Sequence, residues 1–300
     1  MNPSATPSST GAITRQSAGD PQEARWLRFR DNRNTALATS HGWLTLTSLQ
    51  WLPDAPSALD GVPGLWWTDG TTAWLRATEE DGLRAVMSDD AGAGAAETDG
   101  GRRGGVVVGT VSAQLNDEES LDWVTFGGPD GTQVLVELAV RGGRYAVRTR
   151  DDASPVFTGF QGVPVFGYRP ELVVTARFEP FPESRAVPIA TANPHVTSVH
   201  HSVGEVVFTL PGSDTEHRLQ AEEEKLGALT ITFHDASNGD STDEWRKVST
   251  ARPRPDGTVV IDFNRAINYP SAFTDFGTCP APVPGNAIPS AVEAGERKAR

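Results

Sequence analysis

Three hundred residues with 37% hydrophobic content and eight tryptophans can bury a full core, which bounds the chain to one large or two smaller globular domains. A net charge of −13 repels polyanions such as DNA, and no apolar run approaches the roughly 20 residues needed to cross a bilayer, so neither nucleic acid nor membrane is expected as a partner. The single cysteine excludes an internal disulfide, and the N-terminus lacks a charged segment leading into an apolar one, so a soluble, cytoplasmic protein is expected.

Met1 to Asp20 is rich in Ser, Thr, Ala and Gly, with almost no apolar residue beyond Ile13. Such a segment cannot offset its ordering entropy and is read as a disordered tail, residues 1–20. Asp20-Pro21 is an N-cap and first-turn pair, and a helix is expected over Ala24 to Thr39, ended by Gly42, with Trp26, Phe29 and Leu37 near one face. Trp43 to Leu49 alternates as a strand, and Trp43 and Trp51 are expected to be mostly buried. Asp69-Gly70 between Leu65–Thr68 and Thr72–Ala77 marks a tight hairpin, because it supplies the positive φ that such turns require. Further strands are expected at Leu83–Ser88, Val106–Leu115, Leu121–Phe126, Thr132–Val140 and Arg144–Arg150, with turns at the GGPDG run after Phe126 and at Gly142-Gly143.

After a strand at Leu172–Phe178, the proline-rich segment Pro180 to Pro194 reads as a connector. Strands resume at Glu205–Leu210, His217–Ala221, Ala228–Phe233, Trp245–Ser249 and Thr258–Phe263. Many short strands and little helix predict an all-β, mainly antiparallel sandwich or barrel with a short N-terminal helix. If the chain forms two packed subdomains, they are 21–155 and 156–300, with the break inside Pro155 to Pro194.

Polar side chains that fix turns or line sites are densest between Val259 and Val292, where Asp262, Asn264, Arg265, Asn268, Cys279 and Asn286 lie in a Pro-rich sequence. DFNRAIN (Asp262 to Asn268), then CP, then the Pro-rich run to Asn286 and AGE at Ala294 to Glu296 resemble the C-terminal signature of an uncharacterised bacterial family, domain of unknown function DUF1684. GWLTLTSLQWL (Gly42 to Leu52), RGGRYAVRTRDDASP (Arg141 to Pro155), FQGVPVF (Phe160 to Phe166) and FHDASNGDST (Phe233 to Thr242) extend the resemblance over about residues 22 to 296. It implies neither an activity nor a substrate. Departures from the family's pattern include Asp243 where it has a tyrosine, Trp245 where it has the glycine of a Gly-Arg pair, and Ser271 where it has a cysteine. Were those positions catalytic in relatives, the resemblance implies an inactive or altered member.

Strand periodicity places Arg144, Arg148 and Arg150 on one face, a positive row inside an acidic protein. It also sets Asp262 and Asn264 side by side, and puts Asp235 at the end of a core-facing row, where an ionised carboxylate needs cationic or hydrogen-bonding partners. In one reading the arginines, with Asn264, Arg265, Asn268 and Asn286, bind a small anionic or polar metabolite, and Asp235, Asp262 and Cys279 are candidate acid, base or nucleophile. In the rival reading the chain is a non-catalytic β-sandwich interaction module, and the same side chains form a structural Arg/Asp/Asn network. Asp262 is expected to pair with an arginine of the Arg144–Arg150 strand in either case.

No metal site is expected. His195, His200 and His201 lack a locally spaced further ligand, and Asp235, Asp240, Asp243 and Glu244 lack the spacing of a calcium loop. GxSxG, Walker and HExxH motifs are absent, so the sequence specifies no cofactor, and it specifies no oligomeric state.

Overall fold

The computed structural model describes residues 20–86, 105–127, 131 and 133–300. The expected tail over residues 1–19 and most of the GGPDG turn fall outside the described residues. The fold is mainly antiparallel β, in three sheets.

Helix α1 (Pro21–Leu37) starts where the Asp20 carboxylate accepts the Gln22 N–H at 2.8 Å, and it buries Trp26 and Leu37. It stops short of Thr39. The Gly42 carbonyl instead accepts from both the Thr45 N–H and the Thr45 hydroxyl, so Trp43–Thr45 forms a 3-10 turn and the strand begins only at Leu46.

Two sheets make the N-terminal sandwich. One joins β1 (Leu46–Trp51), β5 (Arg84–Ala85), β7 (Ser120–Gly127), β8 (Gln133–Arg141) and β9 (Arg144–Asp151) in the order β1-β9-β8-β7-β5. The other has the order β2-β3-β4-β6, from β2 (Ser57–Leu59), β3 (Val62–Thr68), β4 (Ala73–Ala77) and β6 (Gly109–Ala113). Trp66, Leu75, Val136, Leu138 and Val147 fill the space between them. The β3–β4 hairpin turns at Asp69-Gly70 as the sequence predicts: Gly70 has φ +89°, and Asp69 accepts the Thr71 and Thr72 N–H groups.

A single-turn helix, α2 (Pro155–Thr158), leads into the C-terminal half. There β10 (Val173–Ala190), β11 (Thr197–Thr209), β12 (Glu216–Glu223), β13 (Leu229–Asp235), β14 (Arg246–Ser249), β15 (Thr258–Asp262) and β16 (Ile267–Asn268) form one sheet in the order β15-β10-β11-β12-β13-β14-β16, and β17 (Ala287–Ile288) pairs parallel to β13. The sheet curls so that β14 approaches β15, and Val206, Phe208, Ile231, Phe233, Ile261 and Phe263 fill its concave side.

The expectation of a connector at Pro180 to Pro194 is corrected: residues 180–190 continue the strand β10. β15 covers only Val173–Arg177, so beyond that point one edge of β10 has no ladder to which proline would fail to donate. The register of β10 against β11 shifts between Pro180 and Arg185, where the strand bulges outward.

Leu37, Leu44, Val163, Ala272 and Phe273 make a third, smaller apolar cluster, which joins segments from both halves. β13 is buried on nearly every residue, Thr230 and Thr232 included. Its concave side meets the core. On its outer side Asn286, from the loop spanning residues 269–286, donates to the Thr232 carbonyl, and Tyr269 bonds the Thr232 hydroxyl.

Candidate functional site

Asp235 ends its core-facing row as predicted, and its partner is Arg246 on β14, at 2.8 Å with both side chains fully buried. Arg246 also donates to the carbonyls of Val292 (2.8 Å), Ala294 and Glu296 (3.1 Å). The other Asp235 oxygen accepts the N–H and hydroxyl of Ser237 and the N–H of Val292. This pair staples the AGE segment under the sheet. Gly295 is required there, because at φ +75° a Cβ would lie 2.4 Å from the Ala266 carbonyl oxygen.

The asparagines of the C-terminal stretch clamp backbone. Asn264 exchanges two hydrogen bonds with the Arg169 backbone, at 2.8 and 2.9 Å. Asn286 does the same with Gln220 while also donating to the Thr232 carbonyl. Asn268 donates from its side chain to the Arg297 carbonyl and from its backbone to Glu296, whose other oxygen takes Arg33 of α1 at 3.0 Å. Asp262 accepts from Asn264 and forms its ion pair with Arg265 at 3.3 Å. The expected pairing of Asp262 with the arginine strand is therefore corrected, since the carboxylate is satisfied within its own turn. Asp262, Asn268 and Arg148 each bond a different set of partners.

The arginine row divides. Arg144 stacks outward on half-buried Trp51, 4.2 Å from its ring centre. Arg148 and Arg150 turn inward at 1% and 8% exposure, and both reach the one carboxylate of Glu137 on β8, at 3.3 and 2.5 Å. Arg150 also donates to the Gly42 carbonyl and Arg148 to the Thr278 hydroxyl, each at 2.8 Å. Trp43, expected to be mostly buried, is half-buried and lies beneath both guanidinium groups. Burial and the neighbouring Glu137 carboxylate push Asp122 up, against the pull of the Arg150 charge.

Thr278 belongs to the loop 269–286, which links the arginine pair to the outer face of the C-terminal sheet. The next residue, Cys279, is buried, and its backbone and that of Ala281 hydrogen-bond to Ala192 and Ala190 at the end of β10. Burial pushes the Cys279 thiol up, against the pull of hydrogen bonds from Ser271 and of the Arg148 and Lys247 charges. It is a protonated thiol at neutral pH, not a ready nucleophile. Ser271, one of the departures from the family's pattern, thus touches Cys279 directly. Asp243, another departure, accepts the following backbone N–H in its own turn.

Beside the loop lie groups that the sequence reading did not single out. His200 and Ser202 share one face of β11, and Ser202 stands directly opposite Glu222 on β12. The His200 Nε2 is 4.0 Å from the Glu222 carboxylate, and burial lowers the histidine's pKa, so the ring is neutral. Tyr269, pushed up by burial, feels the charges of Glu222 and Glu224 and would feel that of Cys279. Among the described residues, the His200 Nδ1, the Ser202 hydroxyl and the Arg148 Nε are buried without a hydrogen-bond partner. The signal was the period of two in Thr197–Ser202, hidden because the strand was expected to start at Glu205.

Residues 158–297 match the family model described as "Protein of unknown function (DUF1684)". Over those residues the chain is similar to that family. The match to DUF1684 thus starts well after residue 22, where the resemblance read from the sequence began. A solution NMR structure of an uncharacterized protein from Haloarcula marismortui is similar at 27% identity, covering 47% of this chain and 78% of that chain with a TM-score of 0.39. No curated protein matches.

Proposed function

We propose that the chain binds a small anionic or polar metabolite under the loop 269–286, between the Arg148–Arg150 pair and the His200–Ser202–Glu222 face. The observation that carries this reading is the set of buried polar atoms left without partners on both sides of one loop: the Arg148 Nε, the His200 Nδ1 and the Ser202 hydroxyl. A buried donor or acceptor left unmade costs about 1–3 kcal/mol, which a hydrogen-bonding ligand would recover. Two arginines against one carboxylate favour an anion. In this reading residues 21–155 and 156–300 are two subdomains that meet at the loop, each with its own main apolar cluster.

The test is a thermal-shift screen of the full chain against a metabolite library rich in carboxylates and phosphates. A ligand at 100 times its dissociation constant is expected to add about 2.7 kcal/mol of stability. His200→Asn should weaken a hit without unfolding the protein. A library with no hit, or hits indifferent to His200→Asn and Arg148→Lys, would leave the rival reading of a non-catalytic interaction module. That rival is favoured by the Asp235–Arg246 pair, whose carboxylate is satisfied within the chain.

A further inference from the structure

Where β10 bulges between Pro180 and Arg185, the concave core of the C-terminal sheet opens to solvent through a groove of about 460 Å³. Its floor is Phe178, Val203 and Leu229, and Phe181 forms part of its wall. The volume lies within the range of small-molecule sites, roughly 300–1,000 Å³.

Two glycines shape this groove. A Cβ on Gly204 would sit 2.6 Å from the Phe178 ring, so only glycine lets that ring lie flat on the strand. A Cβ on Gly227, at φ +79°, would sit 2.5 Å from the Arg252 Nε, so the guanidinium is placed against bare backbone. Next to Gly227 in sequence, Leu226 holds a left-handed φ of +64° with 92% of its surface exposed, a costly conformation for an apolar side chain.

The charges on the rim are of both signs and none is spoken for. Arg252, Glu183 and Glu223 all line the groove, and no ion pair or side-chain hydrogen bond engages any of them among the described residues. Phe181, by contrast, already has its cation, the Arg185 guanidinium 3.5 Å from the ring centre. An apolar floor with one free guanidinium and two free carboxylates is complementary to a molecule with an apolar body and both a carboxylate and an ammonium group.

We infer that this groove is a second binding site, for an apolar amino-acid zwitterion such as a free aromatic or aliphatic amino acid or a dipeptide: the carboxylate meets Arg252, the ammonium meets Glu183 and Glu223, and the side chain lies on Phe178, Val203 and Leu229. It is independent of the site under the loop.

The experiment is isothermal titration calorimetry of the full chain with L-phenylalanine, its N-acetyl derivative, its amide and its N-acetyl amide. The zwitterion is expected to bind, and each cap should weaken it about tenfold or more, since each removes a charge-assisted contact. Arg252→Gln should make the free acid and the amide equal while preserving the penalty for acetylation. The double variant Glu183→Gln/Glu223→Gln should do the reverse. All three side chains are exposed, so these variants fold. Equal binding of the N-acetyl amide and the zwitterion would overturn the inference, as would no measurable binding of any of the four.

Discussion

Two buried arginine clusters in this chain use the same residue types to different ends. Arg246 is held by a carboxylate and three backbone carbonyls, with only its Nε unmet, and the second oxygen of Asp235 is filled by backbone and hydroxyl donors. Arg148 has one shared carboxylate and one hydroxyl, and next to its loop stand His200 and Ser202 with buried atoms unmet. A buried charge is tolerated when the chain itself supplies its partners, and a cluster short of partners is where a ligand gains the most. The difference separates a staple from a candidate site more sharply than residue identity does.

The largest effects should come from removing each cluster's anion. Asp235→Asn is expected to cost about 3–5 kcal/mol in chemical denaturation, because Arg246 is left buried and uncompensated. Glu137→Gln should cost a similar amount, about 3–5 kcal/mol, by stranding two arginines. Sulfate or citrate should restore melting temperature in Glu137→Gln and not in Asp235→Asn. Equal rescue of both, or of neither, would break the distinction between the two clusters.

Asn264→Ala should cost about 1–3 kcal/mol, since the Arg169 backbone loses both partners, and should leave ligand binding untouched. A binding defect in this variant would return the C-terminal asparagines to the site. The smallest effect is a pH dependence. Burial lowers the His200 pKa in the folded state, so the unfolded chain takes up the proton first. Stability should be flat above about pH 6.5 and fall as pH drops below it, and His200→Asn should flatten part of that limb, leaving the share of His217, whose pKa burial also lowers.

Much of the fold was legible. The Asp69-Gly70 hairpin, the Asp20 cap and the β8–β9 pair rest on local rules that tertiary packing did not override. The prolines of β10 were misread because an open sheet edge is a property of neighbours, not of the segment itself. The density of Asn and Asp around residues 262–286 marks side chains that clamp backbone. Asn264 and Asn286 imitate the peptide groups of a missing strand, and one sequence cannot tell that use from ligand contact. Arg148 was found by periodicity, while Glu137 was not matched to it, because partnership across β8 and β9 depends on register.

Helix α1 is held by residues far from it in sequence. Trp26 donates to the Asn264 carbonyl, Arg33 reaches the Asn268 carbonyl and Glu296, and Asn34 takes the Val163 N–H. During synthesis α1 emerges well before Glu296, which completes its dock, so the helix must wait with Trp26 uncovered until the C-terminal sheet has left the ribosome. The N-terminal sandwich can assemble meanwhile from its own strands. A nascent chain released before Glu296 would therefore spare the sandwich and leave the helix without its full dock.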